Sequence, residues 1–269
     1  MPRAAVLGKP VAHSLSPVIH NAGYAAAGLT GWSYAAVECA EAELAGLVAG
    51  LGPEWAGLSL TMPLKQAALA VAGQVAPLPA ILGAANTLVR GPDGGWRAEN
   101  TDAPGMVDAL GAVPPDGWMV VLGAGGTARA ALAAAARIGA GGVTVVTRRA
   151  AAVAALEPVA AALGVPLSPA RWSDAPECLA AADVVVSTVP VGAADPLAAQ
   201  VRWRAGTVLL DALYQPWPTP LAAAAGAAGC RVVSGLDLLL AQAVGQFELF
   251  TGVPAPVEAM RAALLPDHR

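Results

Sequence analysis

Charge and cysteine are both scarce in this chain of 269 residues: charged side chains make up 13% of it, and it holds three cysteines. Cys39, Cys178 and Cys230 form no CxxC pair and leave an odd thiol under any pairing. A disulfide framework is therefore excluded, and a reduced, cytoplasmic setting is expected. Of the three histidines, His13 and His20 lie seven residues apart and His268 is distant from both, with no recognisable zinc-ligand spacing, so no metal site is expected. The net charge is −4 and no basic stripe is present to neutralise phosphates, so no nucleic-acid partner is expected. No apolar run reaches the roughly 18 residues that a membrane span needs, so no membrane partner is expected either. The opening "MPRAAVLGKP" lacks the apolar core and small-residue cleavage site of a signal peptide. There is no internal repeat.

Apolar residues are what the chain has in plenty, at 56%. Alanine runs such as "ALAAAA" (131–136) and "LAAAAGAAG" (221–229) read as helical filler, and the length suffices for two modest domains or one large one. Apolar runs predict strands at 4–8, 32–38 and 57–61, with helices over 17–28 and 41–50 between them. "TLVR" (87–90) and "GWRAEN" (95–100), joined by "GPDGG", predict a hairpin. "GAVPPDG" (111–117) is a proline- and glycine-rich break. Beyond it, strands are predicted at 118–123, 142–147, 183–188, 206–212 and 230–233, apolar almost throughout, as parallel strands buried on both faces should be. Helices are predicted to about 138, over 150–163 and over 235–265. The alternation points to an α/β fold.

"VVLGAGGTARAAL" follows a predicted strand, opens a predicted helix and fits G-x-G-x-x-A at Gly123, Gly125 and Ala128. The first glycine permits a tight turn, and the second lets a pyrophosphate approach free backbone N–H groups. The next strand ends in "VVTRRA". An NAD site places Asp or Glu there, whereas Thr147, Arg148 and Arg149 suit a 2′-phosphate, which a guanidinium attracts with charge-assisted bonds. The competing reading is two solvated arginines at a helix start. NADP is therefore expected over NAD.

Three further stretches carry candidate chemistry. "LTMPLKQAAL" (60–69) reads as a strand end running into a helix with Lys65 just inside it, where the helix dipole opposes a cation. "GAANTL" (83–88) supplies Asn86, and "ENTDAPG" (99–105) supplies Asn100, Thr101 and Asp102. Taken alone, Asp102 reads as a helix N-cap and Lys65 as a solvated cation. In "KPVAHSLSPVIHN" (9–21), Ser16 before Pro17 reads as an N-cap with proline opening the helix, which leaves Ser14 without a reading.

In order, "HSLSP", "LTMPLK", "GAANTL", "ENTDAPG", "GAGGTARA", "VVTRR", "DALYQPWPTPL" and "GLDLLLAQAVGQFELFTG" resemble the shikimate dehydrogenase family over nearly the whole chain. The resemblance implies reduction of 3-dehydroshikimate to shikimate by NADPH. It implies an N-terminal α/β substrate domain at 1–102, completed by returning C-terminal helices at 236–269. A Rossmann-type doubly wound NADP-binding domain at 103–235 is implied between them. Ser14 and Ser16 are implied as donors to the substrate carboxylate, and Lys65 with Asp102 as the catalytic pair. Thr61, Asn86, Asn100 and Gln242 are implied around the ring hydroxyls, with Tyr214 a further substrate contact. Without the motif, Gln242 is an ordinary surface glutamine. Gly123, Ala124, Gly125, Gly126, Thr127, Ala128, Thr147, Arg148, Arg149, Thr188, Leu213 and Gly235 are implied around the cofactor.

The chain departs from the family at three places. Ser59 and Leu60 replace a common Asn-Val pair, read as a packing change. Thr147 stands where Asn is usual, and "STVPVGAAD" (187–195) lacks a frequent methionine. A quinate or aminoshikimate dehydrogenase of the same family is the nearest alternative, and a non-catalytic dinucleotide sensor the more distant one. A monomer or homodimer is expected.

Overall fold

Runs of valine, leucine and alanine set the strands, and short glycine- or proline-bearing turns separate them from helices. The structure, a computed structural model, describes residues 1–264, apart from the Ala150 side chain. The tail of the segment expected to be helical to 265, and of the domain expected to close at 269, lies outside the described residues. The chain divides into two units: Met1–Gly105 together with the residues from Leu239 on, and Met106–Leu238.

The first unit carries β1 (Arg3–Gly8), α1 (Ser16–Ala26), β2 (Ser33–Glu38), α2 (Leu44–Ala49), β3 (Trp55–Leu60), α3 (Ala68–Val71), β4 (Gln74–Val75), α4 (Pro77–Leu82), β5 (Thr87–Arg90) and β6 (Trp96–Glu99). Its sheet runs β2-β1-β3-β5-β6-β4. β1 pairs in parallel with β2 and β3, whereas β5 runs antiparallel to both β3 and β6. The hairpin expected at 87–100 is thus present. Ala5, Leu7, Leu58, Leu60, Leu64, Leu88 and Ala98 form its buried core beneath α2. Helix α5 (Asp102–Leu110) starts at the unit's edge.

The second unit alternates β7 (Trp118–Leu122), α6 (Gly126–Ile138), β8 (Gly142–Thr147), α7 (Ala150–Ala154), α8 (Glu157–Leu163), β9 (Leu167–Arg171), α9 (Ala175–Ala181), β10 (Val184–Ser187), β11 (Val208–Asp211), α10 (Pro220–Ala227) and β12 (Arg231–Val233). The strand order β12-β11-β10-β7-β8-β9, all parallel, is the 3-2-1-4-5-6 order of a doubly wound dinucleotide-binding sheet. Alanines let α6 pack close, since Ala128, Ala130, Ala131, Ala133, Ala134 and Ala135 are all buried.

Helices α11 (Gly235–Thr251) and α12 (Val257–Ala262) close the described chain. From Leu239 on they belong to the first unit. Gly57 accommodates the Phe250 ring of α11, and a Cβ at Gly23 of α1 would stand 2.9 Å from the Phe247 ring. A Cβ at Gly105 would stand 2.7 Å from the Gln242 backbone nitrogen, so α5 and α11 meet backbone to backbone there.

Several expectations need correction. The helix expected over 150–163 is two helices, broken between Ala154 and Glu157, and that expected over 235–265 breaks after Thr251 at "GVPAP". Ser16 is the first residue of α1 rather than its cap, and Leu15 precedes it without a side-chain cap. Lys65 lies in turns covering 62–67, ahead of the four-residue α3, so no helix end acts on it as expected. No helix among the described residues is long and apolar enough to cross a membrane.

Candidate active site

In the first unit, three loops at the strand ends bring the candidate residues together. Gly83 closes α4 at φ +62, in the left-handed region that glycine tolerates, and turns the chain into "AANT". Asn100 lies just ahead of α5, where its Oδ1 accepts from Ala103 N at 3.1 Å while its Nδ2 donates to Ala84 O at 3.1 Å. That is the work of an N-cap, and it falls to Asn100 rather than Asp102.

Asp102 is thereby left to face Lys65. Lys65 Nζ donates to Asp102 Oδ2 at 2.6 Å, with the side chains only 17% and 9% exposed. Asn86 Nδ2 donates to the other carboxylate oxygen at 2.9 Å and to Thr101 Oγ1 at 2.9 Å. Asn86 Oδ1 accepts from Thr101 N at 2.8 Å and from Thr87 Oγ1 at 2.9 Å. Both amide hydrogens and both lone-pair directions of Asn86 are therefore engaged. Gln242, on α11, places Oε1 3.4 Å from Asn86 Nδ2 and donates through Nε2 to Leu239 O at 2.7 Å.

Tyr34, Ser59, Gln246 and Thr87 extend this network. Tyr34 donates to Ser59 Oγ at 2.6 Å, and Ser59 donates to Gln246 Oε1 at 2.7 Å. Gln246 Nε2 donates to Thr87 Oγ1 at 3.0 Å and to Asn86 O at 3.2 Å. A one-way chain of donors thus runs Tyr34, Ser59, Gln246, Thr87, Asn86, Asp102. Ser59 is consequently a buried hydrogen-bonding link, not the packing change expected of it. Burial raises the Tyr34 pKa, against smaller opposing hydrogen bonds from Ser59 and Ser16, so the phenol stays protonated. His20 stacks on Tyr34 at 4.2 Å with neither nitrogen in a well-formed hydrogen bond, and burial pushes its pKa down to about 3.

Ser14 and Ser16 stand at the start of α1, with Ser14 Oγ accepting from Ser16 N at 3.3 Å. Thr61 follows β3 directly, its N donating to Leu7 O at 2.9 Å, and Gly8 leaves room for its methyl. Ser14, Ser16 and Thr61 all belong to the first unit, as Lys65 and Asp102 do. Tyr214 lies in the other unit.

In the second unit, Gly123 has φ +102, a conformation that L side chains rarely adopt, and a Cβ there would stand 2.6 Å from Thr188 Oγ1. Thr188 N and Oγ1 both donate to Leu122 O, at 2.9 and 2.8 Å, which ties the ends of β7 and β10 together at the point where strand order reverses. Ala124 continues the turn. Gly125 has open space where a Cβ would lie and precedes the thirteen residues of α6 without a side-chain cap. Gly126, Thr127 and Ala128 form the first turn of that helix. Thr147 ends β8, and its Oγ1 accepts from Arg149 N at 3.2 Å. Thr147 and Arg148 line a cavity of about 570 Å³. Gly235 N donates to Leu213 O at 3.1 Å. Among the described residues, no group of three or more His, Cys, Asp or Glu could hold a metal ion.

A parallel sheet in this strand order, with a glycine turn at its switch point, defines a dinucleotide-binding α/β protein with a second, polar-lined unit. Comparison narrows that class. Residues 6–88 match the family described as "Shikimate dehydrogenase substrate binding domain", and residues 235–265 match "Shikimate 5'-dehydrogenase C-terminal domain". Residues 95–200 match "Alanine dehydrogenase/PNT, C-terminal domain". The shikimate dehydrogenase (NADP(+)) of Methylobacterium radiotolerans is 40% identical over 266 residues, covering 95% of this chain and 93% of that protein. The crystal structure of Mycobacterium tuberculosis shikimate dehydrogenase superposes with a TM-score of 0.90 at 49% identity, covering 98% of each chain. That of the Thermus thermophilus enzyme, in complex with NADP(H) and shikimate, gives 0.83 at 35% identity, again over 98% of each chain. The chain belongs to the shikimate dehydrogenase family.

Proposed function

We propose that this protein is an NADP-dependent shikimate dehydrogenase, interconverting 3-dehydroshikimate and shikimate. The observation that carries the reading is the Lys65–Asp102 pair, 2.6 Å apart, with the second Asp102 oxygen held by Asn86. Reduction of a ring ketone needs a hydride and a proton. NADPH, when bound, supplies the hydride. The left-handed Gly123, the open Gly125, the uncapped start of α6 and the Arg148 guanidinium fit a pyrophosphate and a 2′-phosphate.

The proton comes from this chain. Lys65 Nζ donates it to the developing alkoxide, and Asp102 orients the ammonium and balances its charge in a site that water reaches poorly. Asn86 fixes the carboxylate, since its own hydrogen-bonding groups are all engaged. Ser14 and Ser16 bind the substrate carboxylate, while Thr61 and Gln242 meet the ring hydroxyls. A site matched donor for acceptor rejects analogues that leave its buried groups unpaired. Initial rates with shikimate and quinate, each with NADP and NAD, test this: shikimate with NADP is expected to be fastest, and faster turnover of quinate with NAD would overturn it.

A further inference from the structure

One arginine is a poor match for a phosphate monoester, which carries about −1.5 to −2 charges at neutral pH. Arg149, the second cation that the sequence offers, is not among the described residues on the wall of the cavity beside Thr147. Its backbone instead opens α7 and donates to Thr147 Oγ1. The wall does hold another guanidinium. Arg171 ends β9 and is in register with Thr147 across the parallel ladder, so the two backbones lie about 4.8 Å apart. Trp172 follows it, half-buried, lining the same cavity and packed against the core of the second unit.

We propose that Arg171 pairs with Arg148 to form the 2′-phosphate clamp and is a second residue that determines specificity for NADP over NAD. The proposal rests on the NADP reading above and adds a residue to it. In a doubly wound sheet the ribose 2′ position falls at the end of the second strand, which here is β8. Arg148 follows that end and Arg171 flanks it, so the two cations approach the phosphate from neighbouring strands. Neither is ion-paired among the described residues. Among the described residues the one carboxylate on the cavity wall, Asp174, accepts from Ser173 Oγ at 2.9 Å. Trp172 adds apolar lining to the same cavity wall.

The test is initial-rate kinetics with NADPH and NADH, on the parent and on Arg171→Ala, Arg171→Lys and Arg148→Ala. Arg171→Ala is expected to raise KM for NADPH about 5- to 30-fold, with kcat and the NADH constants within twofold, since an exposed charge-assisted contact is partly screened. Arg171→Lys should keep part of the preference by charge alone, without the bidentate fork. Arg171 is exposed on an edge strand, so folding should be unaffected. Should Arg171→Ala melt early, Arg171→Gln is read in the same way. Loss of preference in Arg148→Ala with an unchanged NADPH-to-NADH ratio in Arg171→Ala would overturn this inference alone. A parent enzyme without NADP preference would overturn the cofactor reading and the clamp with it.

Discussion

Replacing Asp102 by asparagine removes one charge, keeps the shape and tests the centre of the mechanism. The carboxylate now accepts from two directions, Lys65 Nζ at 2.6 Å and Asn86 Nδ2 at 2.9 Å. An amide has one oxygen, so one of these donors must face an NH₂ group. Turned toward Lys65, the new oxygen leaves Asn86 opposed by a donor. Turned the other way, it leaves the ammonium unpaired at a position only 17% exposed. Either orientation forfeits a charge-assisted hydrogen bond, which contributes about 1.5–3 kcal/mol. Turnover should fall roughly 10²–10³-fold because the proton donor is no longer aimed. The NADPH dissociation constant, set by the other unit, should stay within about twofold. Steady-state rates at saturating substrate, NADPH fluorescence titration and thermal melting separate these effects. Lys65→Met and the double variant complete a cycle, in which residues acting as one unit give a double loss little worse than either single one. Turnover of Asp102→Asn within about threefold of the parent, or fully multiplicative losses in the cycle, would refute the pairing as the catalytic device.

Gln246→Leu breaks three buried hydrogen bonds, leaving Ser59 and Thr87 short of partners at about 1–3 kcal/mol each. The melting temperature should drop and kcat should fall about 3- to 10-fold; an unchanged kcat in the folded variant would confine Gln246 to stability. Ser59→Ala should lower the melting temperature in the same way by stranding the Tyr34 hydroxyl, and an unaltered melt would show that the hydroxyl finds another partner. His20 has a folded pKa of about 3, against about 6.5 for an unperturbed imidazole, so only the unfolded chain takes up its proton between those values. Stability should therefore be lost as pH falls from 6.5 toward 3, at up to about 1.4 kcal/mol per pH unit from this group. Denaturant melts of His20→Phe across that range should show a shallower slope, and an unchanged slope would mean that His20 is protonated in the folded state.

Strands buried on both faces were legible because nothing polar interrupts them: "MVVL", "VVV" and "VLL" leave little choice. The edge strands β4 and β9 escaped notice because one side of each meets solvent, so "QV" and "LSPAR" carry no continuous apolar signal. Missing β9 also hid Arg171, since a residue on an unrecognised strand has no neighbour to be placed beside. "LTMPLKQAAL" reads as a helix by its apolar spacing, yet the chain stays in turns to Ala67 and Lys65 is held by Ala85 N, which donates to its carbonyl at 2.7 Å. Lys65, Asn86 and Asp102 could be found from their motifs. Gln246 could not, because one turn beyond Gln242 a second glutamine has the same appearance whether it faces solvent or Thr87. Only the register of α11 on the sheet decides that.

At Gly105 two helix backbones touch with no side chain between them. Main chain cannot be repacked by changing a neighbouring residue, so the spacing that presents Gln242 beside Asn86 is not adjustable by ordinary mutation. Laboratory evolution toward other polyols should therefore find its solutions at the tips of side chains, at positions such as Thr61 and Gln242. Libraries that open position 105 would be filled with misfolded protein.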